Sequence, residues 1–191
     1  MWLGTYSLKE QLLPVIKSNF NQILLCHENN HGLLVENRVE DISGCARYRQ
    51  NMESKADFDN GTLCLPISIG YDGFVPKGQM KKEITPIYVR IEALGEKENR
   101  TIKNVALAAV LVAKKGLTKE NSNLAASRLH AEIISSQISP WRITIGNRKW
   151  AIKLVPCFLF ADLKVICSDV TNNNLNPRAY EMWLQCQIGN R

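Results

Sequence analysis

Two aspartates, Asp72 and Asp162, each close an apolar run that reads as a strand. From Leu63 to Tyr71, bulky residues (Leu63, Leu65, Ile67, Ile69, Tyr71) alternate with lean ones (Cys64, Pro66, Ser68, Gly70), and Asp72 continues the lean parity up to a turn at Gly73. Cys157-Phe158-Leu159-Phe160-Ala161 leads likewise into Asp162. A period of two is the mark of a strand. A carboxylate on a core strand is costly unless something pairs with it, and two that meet repel each other unless a cation lies between them. Oxygen donors of this kind suit Mg²⁺ or Mn²⁺. Metal held this way can activate a water or a 3′-hydroxyl and stabilise the leaving oxygen in phosphodiester transfer. The competing reading is plainer: strand-end aspartates bond to turn amides of their own loop.

Other polar clusters carry less chemistry. Cys26, His27 and His31 lie within six positions, but a closed zinc site takes four ligands and no second cluster is present. Asp169 competes with Asp162 as the second acid, yet its place before Asn172-Asn173-Asn174 reads as a loop or helix cap. Glu92, on the second strand, reads as a partner of Arg90 or a solvent-facing acid. Lys77, Lys81, Lys82, Lys103, Lys114 and Lys115 bracket the strand ends, and Arg142, Arg148 and Lys149 sit beside Trp150 in a basic hairpin. Such residues attract nucleic-acid phosphates without reading sequence. They serve equally well as solvated strand ends, and Trp150 reads first as a packing residue. No Ser-His-Asp order, phosphate-loop glycine pattern or dinucleotide fingerprint occurs.

These residues need elements to hold them. Residues 1–60 read as a helical and irregular lead-in. Leu8–Leu25 forms one or two helices with Pro14 near an early turn, His27–Gly32 is a polar break, Leu33-Leu34-Val35 a short strand, and Asp41–Asn60 a surface connection. Residues 61–191 read as the core. Its strands are Leu63–Asp72, Ile84–Ala93 and Ile102–Val112, the last apolar on both faces as a central strand should be. A helix capped by Thr118 or Asn121 runs to about Gln137, with Leu124, Ala125, Leu129, Ile133 and Ile134 inward and Pro140 beyond its end. Trp141–Ile145 and Trp150–Val155 flank Gly146-Asn147-Arg148-Lys149 as a hairpin. A further run, Cys157–Asp162, and a short helix from Pro177 follow. Strands, then a helix, then more strands imply a mixed α/β sheet with flanking helices.

The chain has 191 residues, 45% hydrophobic and 22% charged, with a net charge of +6 and a pI near 9.0. That is ordinary globular composition, and a mildly basic balance favours an anionic partner such as DNA. None of the six cysteines forms a CxxC pair, which suits a reducing compartment, nucleus or cytoplasm. The first ten residues lack a basic leader with an apolar core, and no apolar run approaches membrane-spanning length. DNA is therefore the expected partner, with a homo-oligomer left open and no membrane.

One resemblance ties the acids together. Leu65-Pro66-Ile67-Ser68-Ile69-Gly70-Tyr71-Asp72-Gly73 resembles the first-acid motif of DDE transposases of the CACTA and Chapaev kind. Thr85-Pro86-Ile87-Tyr88-Val89 is similar to that group's WPI segment, with threonine where tryptophan is usual. Arg100–Val105 resembles its approach to the third strand, Ala161-Asp162-Leu163 its second-acid motif, and Asn176-Pro177-Arg178-Ala179 the segment after it. The resemblance spans roughly residues 60–186. It implies an RNase H-like mixed sheet whose first and fourth strands are neighbours, so that Asp72 lies beside Asp162. It also implies Mg²⁺-dependent DNA cleavage and strand transfer. The family's third acid has no matching motif before Arg191 (Glu181 is an acid without one), and the cysteine pair that often follows the second acid is reduced to Cys186. The resemblance therefore implies a core truncated at its C-terminal end. A non-catalytic DNA-binding or interaction module of the same descent is the alternative.

Overall fold

The structure is a computed structural model that describes residues 2–32, 60–78, 82–94, 98, 101–114 and 119–160. Strands β1 (Trp2–Thr5), β2 (Thr62–Tyr71), β3 (Glu83–Ile91), β4 (Val105–Ala113), β5 (Trp141–Ile145) and β6 (Arg148–Phe160) form one sheet in the order β1-β4-β3-β2-β6-β5. Helices α1 (Leu8–Ser18), α2 (Phe20–Gly32) and α3 (Lys119–Ile138) accompany it. β6 runs parallel to β2, and every other pairing is antiparallel. The mixed α/β architecture expected from the alternation of elements is what the chain adopts. The expected strand Leu33-Leu34-Val35, the connection Asp41–Asn60 up to Asp59, and everything after Phe160 lie outside the described residues.

The alternation in β2 does what period-two patterning requires. Leu63, Leu65, Ile67, Ile69 and Tyr71 enter a core shared with Ile87, Val89 and Ile91 of β3. Leu8, Leu12, Val15 and Ile16 of α1, Phe20 and Ile23 of α2, and Ala125, Leu129 and Ile133 of α3 join the same cluster. Helix α1 starts at Ser7, whose hydroxyl accepts the Glu10 amide, and stops at Asn19, whose amide group donates to the Val15 carbonyl at 2.9 Å. Pro14 falls inside α1 rather than in its first turn. Its exposed position costs the helix one hydrogen bond but no core contact. The polar break expected at His27–Gly32 is instead the continuation of α2. In α3, Leu124 and Ile134 are exposed, and the buried stripe is Ala125, Leu129, Ile133 and Ser136.

Three prolines lie inside strands, and each stands at or beside a register irregularity. The β2–β6 ladder shifts between Ile67 and Ser68, next to Pro66 and opposite Pro156. The β3–β4 ladder shifts between Ile87 and Tyr88, next to Pro86. A bulge leaves backbone groups unpaired, so a residue without an N–H is tolerated there. This is why the hairpin arm at Trp150 and the apolar run at Cys157 form a single strand, although Pro156 divides them in the sequence.

Side chains continue two ladders where a strand runs out. The Gln11 carboxamide donates to the Leu107 carbonyl at 2.8 Å and accepts the Leu107 amide at 2.9 Å, beyond the last residue of β1. At Leu154, past the start of β5, Ser136 Oγ accepts the amide at 3.1 Å while Gln137 donates to the carbonyl at 2.9 Å. Ser136 is fully buried and its hydroxyl also donates to the Ile133 carbonyl. A Ser136→Ala substitution strands the Leu154 amide without a partner. It is expected to lower stability by about 1–3 kcal/mol, read as a lower denaturant midpoint with unchanged slope.

Candidate functional site

β2 sits at the centre of the sheet, and its C-terminal end is where the first candidate acid lies. Tyr71 pairs with Ile87, and Phe74 exchanges two 2.9 Å backbone bonds with Ile84. Asp72 and Gly73 therefore stand across from Thr85 and Pro86. Pro86 has no N–H to offer, so strand pairing lapses there, and Asp72 emerges exposed. A side chain at Gly73 would meet the end of the Glu83 carboxylate and stand 3.2 Å from the Thr85 hydroxyl, so both side chains of β3 lie close against this turn. Glu83 is thus an acid beside the end of β2.

Tyr88 also belongs to this end. It pairs with Gly70, two residues before Asp72 and on the same parity. Burial pushes its phenol above the ordinary tyrosine range, and the negative charge of Asp72 pushes it further. Tyr88 is consequently a neutral hydroxyl donor at physiological pH. In the sequence it alternates with Ile87 and Val89, which places it on the opposite face of β3, but nothing there placed it beside Asp72.

Glu92 has the structural role. β3 ends at Ile91 and Glu92 opens a short 3₁₀ turn, nearly fully buried. It accepts the Ser68 hydroxyl and lies 3.8 Å from the Arg90 guanidinium. Ser68 precedes Asp72 by four residues, about 13 Å along a strand, so this acid does not share the Asp72 site.

The parallel ladder of β2 and β6 runs from Thr62↔Ala151 to Gly70↔Phe160. One extra residue, Cys157, is inserted on β6 between Ile67↔Pro156 and Ser68↔Phe158. Asp72 lies two residues beyond Gly70, and Asp162 two residues beyond Phe160. Asp162, like Asp169 and Glu181, is outside the described residues. Among the described residues no three His, Cys, Asp or Glu side chains gather as a metal-binding group.

The basic residues divide between the two ends of the sheet. Lys77, Lys82 and Lys114 are exposed at the Asp72 end, where Glu83 pairs with Ala113. Arg142, Arg148 and Lys149 are exposed at the opposite end, where β6 begins. β2 spans ten residues, so the two groups are about 30 Å apart. Lys81 and Lys115 lie outside the described residues. Trp150 is buried: its ring meets Phe20 edge-on at 5.1 Å, and the Arg148 guanidinium covers it at 4.4 Å.

No family model and no curated protein matches this chain. The functional reading therefore rests on the strand register and on the chemistry of the residues it aligns. No helix among the described residues is long and apolar enough to cross a membrane.

Proposed function

We propose that this chain carries a transposase-derived, RNase H-like core in which Asp72 and Asp162 together hold Mg²⁺ or Mn²⁺ for DNA strand cleavage and transfer. The observation that carries the reading is the parallel pairing of β2 with β6. The strand leading to Asp72 and the strand leading to Asp162 are hydrogen-bonded neighbours, and their last pair precedes each acid by the same two residues. In the RNase H-like scheme β2 is the first strand and β6 the fourth, with α3 in the crossover between β4 and β6 and with β1 and β5 added at the two edges.

The donors fit a hard divalent cation, because both are carboxylates and Asp72 is exposed at a strand end rather than consumed by an internal ion pair. A bound Mg²⁺ would activate the attacking water or 3′-hydroxyl and stabilise the departing oxygen. The chain's own contribution is positional. Pro86, across from Asp72, offers no N–H to the ladder, the parallel pairing makes the strands leading to the two acids neighbours, and Tyr88 offers a neutral hydroxyl beside Asp72.

A melting experiment tests the metal site. With Mn²⁺ at about a hundred times its dissociation constant, folding gains about 2.7 kcal/mol, or roughly 5–10 °C in Tm for a chain of this size. Asp72→Asn and Asp162→Asn are each expected to abolish the shift. An undiminished shift in both variants would overturn the site. The second reading, a non-catalytic DNA-binding module of the same descent, is favoured by the exposed basic residues at both ends of the sheet. It predicts salt-dependent DNA binding with a melting curve that Mn²⁺ leaves in place.

A further inference from the structure

We propose that the outward face of the β5–β6 hairpin is a docking surface for the phosphate backbone of DNA, formed by Arg142, Lys149 and Lys153. The residues are dispersed in the sequence, and register gathers them. Arg142 pairs with Ala151, Thr144 with Lys149, Ala151 with Thr62, and Lys153 with Cys64. Arg142, Thr144, Lys149, Ala151, Lys153 and Thr62 therefore share one face. Trp141, Ile143, Trp150 and Ile152 occupy the other and are buried in the core. Arg142 lies diagonally between Lys149 and Lys153, about 7–8 Å from each at the backbone.

The strip has one sign. Neither β5 nor β6 contains an acidic residue, and none of the three cations makes an ion pair with the described residues. Arg142 and Lys149 are exposed and Lys153 is half-buried. Like charges at such spacing on a sheet weaken it, and an anion lying across them removes that cost. The residues between them are small or hydroxylic, so a backbone can approach closely, and Thr144 and Thr62 add donors of the kind that bind phosphate.

Two features select DNA over an anionic membrane. The face has no exposed aromatic or large aliphatic side chain, whereas interfacial membrane binding combines basic residues with a buried apolar face. The two aromatic rings next to the cations, Trp141 and Trp150, are buried in the core, and Trp150 is closed by Phe20, so base stacking is not part of the contact. Binding at this face is therefore electrostatic, insensitive to base sequence and independent of metal. It lies about 30 Å from Asp72 and stands whether or not the acids hold a cation.

The test is binding of a short fluorescein-labelled DNA duplex to the full chain, by anisotropy across a salt series in metal-free buffer. Each phosphate contact contributes about 0.9 to the slope of log affinity against log salt. The triple variant Arg142→Gln/Lys149→Gln/Lys153→Gln is expected to lose two to three units of slope and at least tenfold in affinity at low salt. A control triple with the same net charge, Lys9→Gln/Lys17→Gln/Arg128→Gln on α1 and α3, is expected to stay within twofold of the wild type. Equal loss in both triples would show diffuse charge attraction and overturn the assigned surface, as would wild-type affinity in the hairpin triple. Binding to phosphatidylserine vesicles that depends on the hairpin cations, without duplex binding, would overturn the choice of DNA. Should the triple fail to fold, the exposed pair Arg142→Gln/Lys149→Gln is expected to lose close to two units of slope.

Discussion

A Trp150→Ala variant is expected to lose about 3–5 kcal/mol of folding stability, about a fifth or more of what a domain of this kind has in total. Three contacts converge on that ring. Its body is buried among core residues, it meets Phe20 of α2 edge-on at an interplanar angle of 62°, and the Arg148 guanidinium covers its ring. Removal opens a cavity where the hairpin is fastened to the helices, and it takes away an aromatic pair and a cation–π contact, each worth about 0.5–1.5 kcal/mol beyond area burial. Chemical denaturation reads the loss as a lower midpoint. Trp150→Phe should recover most of it. The same measurement separates two roles for the residue: a stacking platform for DNA bases would lose nucleic-acid affinity on substitution with little change in the midpoint.

Mg²⁺-dependent nicking of supercoiled DNA is expected to fall by about 10²–10⁴-fold in Asp72→Asn, the factor that corresponds to several kcal/mol of metal-supplied stabilisation. Asp162→Asn should match it. Asparagine preserves the shape of the side chain and removes its charge. Asp72 is exposed, so the variant's own stability should stay within about 0.5 kcal/mol of the wild type, and lost activity would not reflect unfolding. Nicking that persists in Asp72→Asn would remove this residue from the chemistry. A wild-type chain that binds Mn²⁺ without nicking DNA would belong to the non-catalytic reading.

Periodicity made most of the sheet legible. β2, β3 and β4 follow from alternation; the turn read at Gly146-Asn147-Arg148-Lys149 is shortened to Gly146-Asn147, since Arg148 and Lys149 pair in β6 and Gly146 adopts φ +59° as a two-residue hairpin turn demands. What the sequence concealed has physical causes. β1 is four residues at a sheet edge, too short for a period to show. Helix α2 continues through a polar run because a helix end is marked by caps rather than by hydrophobicity. In α3, residue type pointed to Leu124 and Ile134, while spacing by fours pointed to Ala125, Leu129 and Ile133; the spacing decided burial. Pro156 hid the continuity of β6 because a proline at a bulge and a proline that ends a strand look alike in one dimension.

The candidate site was half legible. Each acid was visible as the end of an apolar run, and the lean parity of β2 put Asp72 opposite the bulky core residues. The neighbourhood of β2 and β6 depends on a parallel pairing across about ninety positions, which periodicity does not encode; the expectation came from the transposase resemblance. Lys153 and Glu83 escaped notice because their significance arises from the residues paired across from them. The basic residues of the strand ends and of the hairpin were visible as two groups, but not that they lie at opposite ends of the sheet, since strand direction decides which end a residue occupies.

The prolines beside the register shifts have a consequence for the unfolded chain. Stacking of identical segments into fibrils calls for six or seven β-prone residues, uncharged and free of proline. Pro66 cuts β2 into stretches of four and five, Pro86 cuts β3 into three and five, and in β6 Pro156 together with Arg148, Lys149 and Lys153 leaves no long neutral window. β4 is the exception, nine residues with neither charge nor proline, and Lys103 and Lys114 flank it in the position of gatekeepers. The irregularities that shape the folded sheet also guard the nascent chain against its own copies.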